Sequence, residues 1–326
     1  MRHRQLGESG LTVSILGLGC NNFGLTRDAS ESRAQVDAAL DAGITLFDTA
    51  QVYGRPNGTS ERFLGAALEG RRHSAIVSTK VGSFSLREPG MAAAGSRRNI
   101  RQALEGSLQR LQTDYIDLLY LHQPDDVTPI EETLATMSEL VREGKVLYLG
   151  LANFTAWRIV EAQLLARCNG SDCVVAAQNA YSLVDRMVEL DIAPVCARYG
   201  IGLAPYFPLA NGLLTGRYRR GDIPPPGSRL ATRPQVLQDE SALTSLEALQ
   251  KFADERELSL VQVALGGLAA KPTVGSVIAG ASSPEQVRAN AAACEWIPST
   301  ADFSALDEIA RPPKYVPLGS RSGHLR

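Results

Sequence analysis

The chain has 326 residues, with 33 Lys+Arg against 35 Asp+Glu, a formal net charge of -2 and 44% hydrophobic residues. This composition excludes a disordered chain, a collagen-like fibre and a small disulfide scaffold, and its interspersed charges supply no field for gripping nucleic acid or an anionic membrane. The length suits one large α/β barrel or two domains of roughly 150 residues each.

In chain order, short apolar runs alternate with segments of helical period. The runs are Ser14-Ile-Leu-Gly-Leu-Gly19, Ile44-Thr-Leu-Phe47, Ala75-Ile-Val-Ser-Thr79, Ile116-Asp-Leu-Leu-Tyr-Leu121, Val146-Leu-Tyr-Leu-Gly-Leu151, Val174-Val-Ala-Ala177, Ile201-Gly-Leu-Ala-Pro205 and Ser276-Val-Ile-Ala279. None alternates cleanly between apolar and polar, so each is expected to be buried on both faces, as in a parallel sheet. Between the runs, Ile100, Leu104, Ser107, Leu108 and Leu111 fall on one helical face. Thr128-Pro-Ile-Glu131 is predicted to form a capping box, and Ser283-Pro-Glu-Gln286 repeats that start signal. Eight such βα units spell a single-domain (β/α)8 TIM barrel over residues 1–326. A doubly wound sheet would need a glycine fingerprint that Gly17-x-Gly19 alone does not supply.

Three stretches break the rhythm. A long loop from Gly82 to Gly95 follows the third run, a Gly-, Arg- and Pro-rich loop from Ala210 to Ser241 follows the seventh, and the tail from Pro312 has no helical pattern. All three are candidate pocket walls. The best membrane-span candidate, Leu258 to Ala270, is shorter than the ~18 residues a span requires and is interrupted by Gln262, so it reads as an amphipathic helix. Glu8 breaks the basic-then-apolar start that an export signal would show. The five cysteines lack C-x-x-C spacing, and four sit in apolar sequence surroundings, which fits reduced thiols in the cytoplasm.

In a TIM barrel the residues just after each strand share one mouth. Here they are Asp48 with Tyr53 five residues on, Lys80, His122, Asn153, Gln178 with Asn179, and Tyr206. Together they form a general-acid set. An ammonium beside a phenol stabilises the phenolate and lowers its pKa, the ammonium needs a buried counter-ion such as Asp48, and an imidazole orients the oxygen to be protonated.

Phe47-Asp-Thr-Ala-x-x-Tyr53-Gly, with Ser60-Glu61 and Leu64-Gly65 beyond, resembles the signature of the aldo-keto reductase superfamily. Further landmarks are Thr113-Asp-Tyr-Ile-Asp-Leu-Leu-Tyr-Leu-His122-x-Pro124, Gly144-Lys-Val-x-Tyr-Leu-Gly150, Tyr181-Ser-Leu, Tyr206-Phe-Pro-Leu209, Leu213-Leu-Thr-Gly216 and Gly280-Ala-Ser-Ser-Pro-Glu-Gln286. The resemblance extends to the bacterial long-loop branch and to potassium-channel β-subunit-like reductases. It implies hydride transfer between NADP(H) and a small-molecule aldehyde or ketone, with no metal. Tyr53 would donate the proton, Lys80 and Asp48 would tune it, and His122 would orient the carbonyl. Asn153 and Gln178 would hold the nicotinamide carboxamide, and Tyr206 would stack on its ring. Leu209, Gly280, Ser282, Gln286 and Asn290 would line the rest of the cofactor site. The resemblance also leaves room for a cofactor-binding regulatory subunit, for a redox-neutral epimerase or eliminase, and for a monomer or a homo-oligomer.

Several positions depart from the pattern. Ala152 stands where relatives often have serine, and the Gly280 to Gln286 segment has no cation before Arg288. The charge for a 2'-phosphate would then come from Arg217, ahead of Arg219, Arg220 and Arg229. Phe23, Phe84 and Phe154, with Phe207, are expected to give the substrate pocket an apolar wall.

Overall fold

The computed structural model describes residues 1–83, 93–225, 227–232, 236–237 and 239–314. Ten strands and ten α-helices fall among them. The strands are β1 (His3–Gln5), β2 (Thr12–Ser14), β3 (Leu16–Gly19), β4 (Leu46–Asp48), β5 (Ile76–Val81), β6 (Ile116–Leu121), β7 (Val146–Ala152), β8 (Ala176–Gln178), β9 (Gly202–Leu203) and β10 (Val277–Ala279). The helices are α1 (Ala29–Asp41), α2 (Thr59–Ala67), α3 (Arg97–Leu111), α4 (Ile130–Arg142), α5 (Ala156–Asn169), α6 (Ile192–Tyr199), α7 (Glu240–Asp254), α8 (Leu260–Ala269), α9 (Pro284–Ala293) and α10 (Thr300–Ile309).

The eight strands β3 to β10 form one parallel sheet in the order β10-β3-β4-β5-β6-β7-β8-β9. Its two edges meet: Leu203 N donates to Thr273 O, Gly275 N to Leu203 O and Ile278 N to Pro205 O, each at 2.8 Å. The eight predicted runs are thus the strands of the barrel. The burial expectation holds as well, since β3, β4, β6, β8, β9 and β10 are buried at every position. On α3 the buried residues are Ile100, Leu104, Ser107, Leu108 and Leu111, the predicted face.

The first run divides in two. Ser14 belongs to β2, which pairs antiparallel with β1, and the barrel strand begins at Leu16. The resulting hairpin buries Leu6, Leu11 and Val13 in one cluster with barrel residues Leu46, Leu118, Tyr120, Ala176 and Ile278. Each leucine so buried contributes roughly 1.5–3 kcal/mol. Three other local readings are corrected. Thr128 does not cap α4, because its hydroxyl donates to Asp125 Oδ2 at 2.6 Å and Pro129 takes the N-cap position. In α8, Gln262 is no interruption: its Oε1 accepts from Ser259 N at 2.9 Å in a capping box, and the helix is buried at Leu260 and from Val263 to Ala269, so it is not amphipathic. Cys20, Cys196 and Cys294 are buried thiols, whereas Cys168 is exposed and Cys173 intermediate, so three rather than four pack as hydrophobes.

Candidate active site

Side chains alternate across a strand with period two, which decides who enters the barrel. On β5, Thr79 faces the helices while Ser78 and Lys80 face inward, and Asp48 stands in register with Ser78. Lys80 Nζ donates to Asp48 Oδ2 at 2.6 Å and to the Thr49 carbonyl at 2.9 Å. Ser78 Oγ and Gln178 Nε2 donate to Asp48 Oδ1 at 2.8 and 2.9 Å. Asp48 therefore accepts from three side chains while only 4% exposed.

The Tyr53 ring stands over the same ammonium, with Lys80 Nζ 5.2 Å from the ring centre. The loop that carries it needs glycine next. Gly54 has φ 91, and a Cβ there would stand 2.7 Å from Thr59 Cβ and 2.9 Å from Ser60 N. Gly150 opens a different space, since a Cβ would meet the Tyr120 ring at 2.5 Å. Tyr120 in turn is buried, with Lys80 Nζ 5.9 Å from its ring centre.

Burial alone would lower the Lys80 pKa, but Asp48 and Tyr53 outweigh it and the ammonium is held charged, with its pKa raised. For Tyr53 the balance runs the other way. Burial raises its pKa, Lys80 pulls it down, and the net is upward. The expected net lowering of the phenol is thus corrected in the protein by itself: desolvation exceeds the pull of an ammonium already shared with Asp48.

The His122 and Tyr53 rings meet edge to face, with centroids 6.0 Å apart. Burial, then Lys80, lowers the His122 pKa to about 4, so the imidazole is neutral at ordinary pH. Its Nδ1 is buried with no hydrogen-bond partner among the described residues. An orphaned buried N–H is rarer than an orphaned acceptor, which favours the tautomer with the proton on Nε2. His122 is then a neutral hydrogen-bond donor.

These residues open on a cavity of about 620 Å³, lined at one end by Asp48, Tyr53, His122, Asn153, Gln178 and Tyr206. Asn153, in the left-handed region at φ 64, donates to His122 O at 2.9 Å and accepts from the Tyr206 hydroxyl at 2.7 Å. The other end is lined by Leu209, Arg217, Gly280, Ser282 and Gln286. There Ser283 caps α9, and Gln286 Oε1 accepts from Ser282 N at 2.6 Å and Ser282 Oγ at 2.8 Å. Three predicted residues stand elsewhere. Asn290 is buried and turned to the Gly280 carbonyl at 3.4 Å, while Phe23 and Phe154 are packed in the hydrophobic core and line no part of the cavity. Of the expected aromatic wall, Phe207 alone among the described residues lines the cavity, whose lining also includes the amides Asn21, Asn22 and Gln123. Phe84 lies outside the described residues.

Two contributors escape a reading of sequence. One is Ser78, an inward position of β5 that bonds Asp48, together with the bond that the predicted Gln178 makes to the same oxygen. The other is Arg27, whose Nη1 reaches the Ser282 carbonyl at 3.3 Å and pairs with Glu31 at 2.9 Å. It brings a cation to the lip that lacks one in sequence. Of the loop arginines, Arg220 is committed to Glu240 and Glu247, Arg219 is exposed, and the side chain of Arg229 lies outside the described residues.

A closed parallel barrel with a buried lysine-carboxylate-phenol group at the strand ends defines a class of barrel enzyme built around one polar mouth. Comparison with known proteins makes this specific: residues 15–311 match the profile described as the aldo/keto reductase family, and the chain belongs to that family of oxidoreductases. It is 37% identical over 314 residues to a probable voltage-gated potassium channel subunit beta of Oryza sativa subsp. japonica, covering 91% of this chain and 92% of that one. An uncharacterized oxidoreductase of Bacillus subtilis is 36% identical over 296 residues, covering 88% and 89% of the two chains. The L-glyceraldehyde 3-phosphate reductase of Escherichia coli is 33% identical over 321 residues, covering 94% and 92%.

Proposed function

We propose that the protein is an NADP(H)-dependent carbonyl reductase, with Tyr53 as proton donor. The observation that carries this reading is the buried Asp48–Lys80 pair, 2.6 Å apart, set against a phenol and a neutral imidazole at one end of the cavity. The cavity suits a dinucleotide: its lining includes Asp48, Tyr53 and His122 as well as Ser282 and Gln286 at the capped start of α9, where helix amides favour a phosphate. Asn153 and Gln178 each keep an amide proton for a carboxamide, Tyr206 offers a ring, and Arg217 with Arg27 offers charge.

The bound coenzyme would supply the hydride. His122 would donate from Nε2 to the substrate carbonyl oxygen and fix its direction. Tyr53 holds its proton until that oxygen gains charge, then releases it to the alkoxide. Lys80 stabilises the phenolate left behind, and Asp48 keeps Lys80 charged throughout. NADPH absorbance with small aldehydes, including a three-carbon phosphorylated aldehyde, tests the reading. Wild type should consume NADPH, and Tyr53→Phe should do so roughly a hundredfold more slowly. Equal rates in the two proteins would end it.

A second reading, a coenzyme-binding subunit of a larger assembly, is favoured by the similarity to the plant proteins named as channel subunits. Tight NADPH binding without turnover of any carbonyl, together with capture of a membrane partner, would select it.

A further inference from the structure

The mechanism leaves Ser60 and Glu61 unused, although both are completely buried on the first turn of α2. Glu61 is a carboxylate with no access to water. Burying it is costly, and an apolar side chain of similar size would pack there at no such cost.

Their bonds converge on the catalytic pair. Ser60 Oγ donates to the Cys20 carbonyl at 2.7 Å and lies 2.8 Å from Thr49 Oγ1. Ser60 N donates to the Tyr53 carbonyl at 3.2 Å, alongside Gly58 N at 3.1 Å. Thr49 carries the carbonyl that accepts from Lys80 Nζ. Glu61 works from the other side. Its Oε1 accepts from Thr79 Oγ1 at 2.6 Å, and Thr79 is the residue before Lys80. Its Oε2 accepts from Arg110 Nε at 2.6 Å, which ties it to α3.

We propose that Ser60 and Glu61 are positioning residues that together set the contact between Tyr53 and Lys80. One helical turn grips the backbone of Tyr53 and the neighbour of Lys80 at once, so the two side chains are held by a shared rigid element. The backbone hold on Tyr53 survives substitution, so Ser60→Ala loosens the hydroxyl's hold on Thr49 and the Cys20 carbonyl, and Glu61→Gln loosens the tie from Arg110 to Thr79. Either loss lets the ammonium withdraw from the phenol, and burial then raises the Tyr53 pKa further. This rests on the reading of Tyr53 as the proton donor.

The test uses the full-length protein and the variants Ser60→Ala, Ser60→Thr and Glu61→Gln. With 3-fluorotyrosine in place of tyrosine, the Tyr53 resonance is assigned by its loss in Tyr53→Phe, and its ionisation is followed by ¹⁹F NMR without coenzyme or turnover. The midpoint should rise by about half a pH unit or more in Ser60→Ala and Glu61→Gln and return in Ser60→Thr. In parallel, kcat should fall about tenfold, its alkaline limb should move to higher pH, and the Kd for NADPH should stay within about twofold. A wild-type midpoint in folded Ser60→Ala and Glu61→Gln proteins that have only a lowered Tm would overturn the proposal. A shifted midpoint with turnover that does not depend on Tyr53 would instead leave the positioning role standing and remove the donor.

Discussion

Gln178 donates to the Asp48 carboxylate at 2.9 Å, joining β8 to β4 across the barrel interior. With Ser78 on the same oxygen and Lys80 on the other, Asp48 is held in one orientation by three groups from β5 and β8. A buried ammonium is tolerable only because that carboxylate faces it.

Removing the counter-ion should therefore cost more than removing the pair. Asp48→Asn leaves the ammonium of Lys80, which is 1% exposed, without a charge partner, and should lose about 3–5 kcal/mol in urea unfolding. The double variant with Lys80→Met should recover more than half of that loss. The pH dependence follows from the raised Lys80 pKa. The folded state binds the proton more tightly, so the contribution is full below the unfolded lysine value near ~10.4 and is lost as pH rises through the folded one. Alkaline loss of stability should be shallower in the double variant than in wild type.

His122 predicts the opposite slope. Its folded pKa of about 4 lies below the unfolded value, so the unfolded chain takes up the proton first as pH falls. Stability contributed by the neutral ring is full above pH ~6.5 and declines until pH drops below the folded pKa, by about 3 kcal/mol in all. The difference in unfolding free energy between wild type and His122→Asn, measured from pH 4 to pH 7, should trace that decline. Activity should show no acid limb near pH 6.5, because the donor form of His122 is already complete there.

Local signals carried the barrel. The strands were legible because runs without alternation must be buried on both faces, and the inward set followed from where each run ends. What failed were signals open to a competing partner. Thr128 has the right spacing for a cap, but Asp125 three residues earlier takes its hydroxyl. Phe23 and Phe154 end near strands, yet a large apolar ring gains more from the core than from a polar mouth. The N-terminal hairpin was missed because β1 carries His3, Arg4 and Gln5, with no apolar alternation, and is held by pairing to β2. Arg27 and Ser282 are 255 residues apart, and the pairing of β10 with β3 makes them neighbours.

That neighbourhood bears on coenzyme choice. Arg217 lines the cavity and is exposed, and no carboxylate pairs with it among the described residues, so its guanidinium is ready for a phosphate. Arg27 is already engaged by Glu31 and must exchange that partner to serve. Charge-assisted hydrogen bonds are worth about 1.5–3 kcal/mol, so Arg217→Ala should weaken NADPH binding roughly 10- to 100-fold while leaving NADH nearly unchanged. Arg27→Ala should have a smaller effect in the same direction. Glu31→Gln keeps the bond to Asp28 N but releases the charge of Arg27, and should tighten NADPH a few-fold. Fluorescence titration of both coenzymes at two salt concentrations checks each value, since a phosphate held by arginine loses affinity as salt screens it. An NADPH-to-NADH ratio that none of the three variants changes would mean that the discriminating charge is supplied by other residues of the cavity wall.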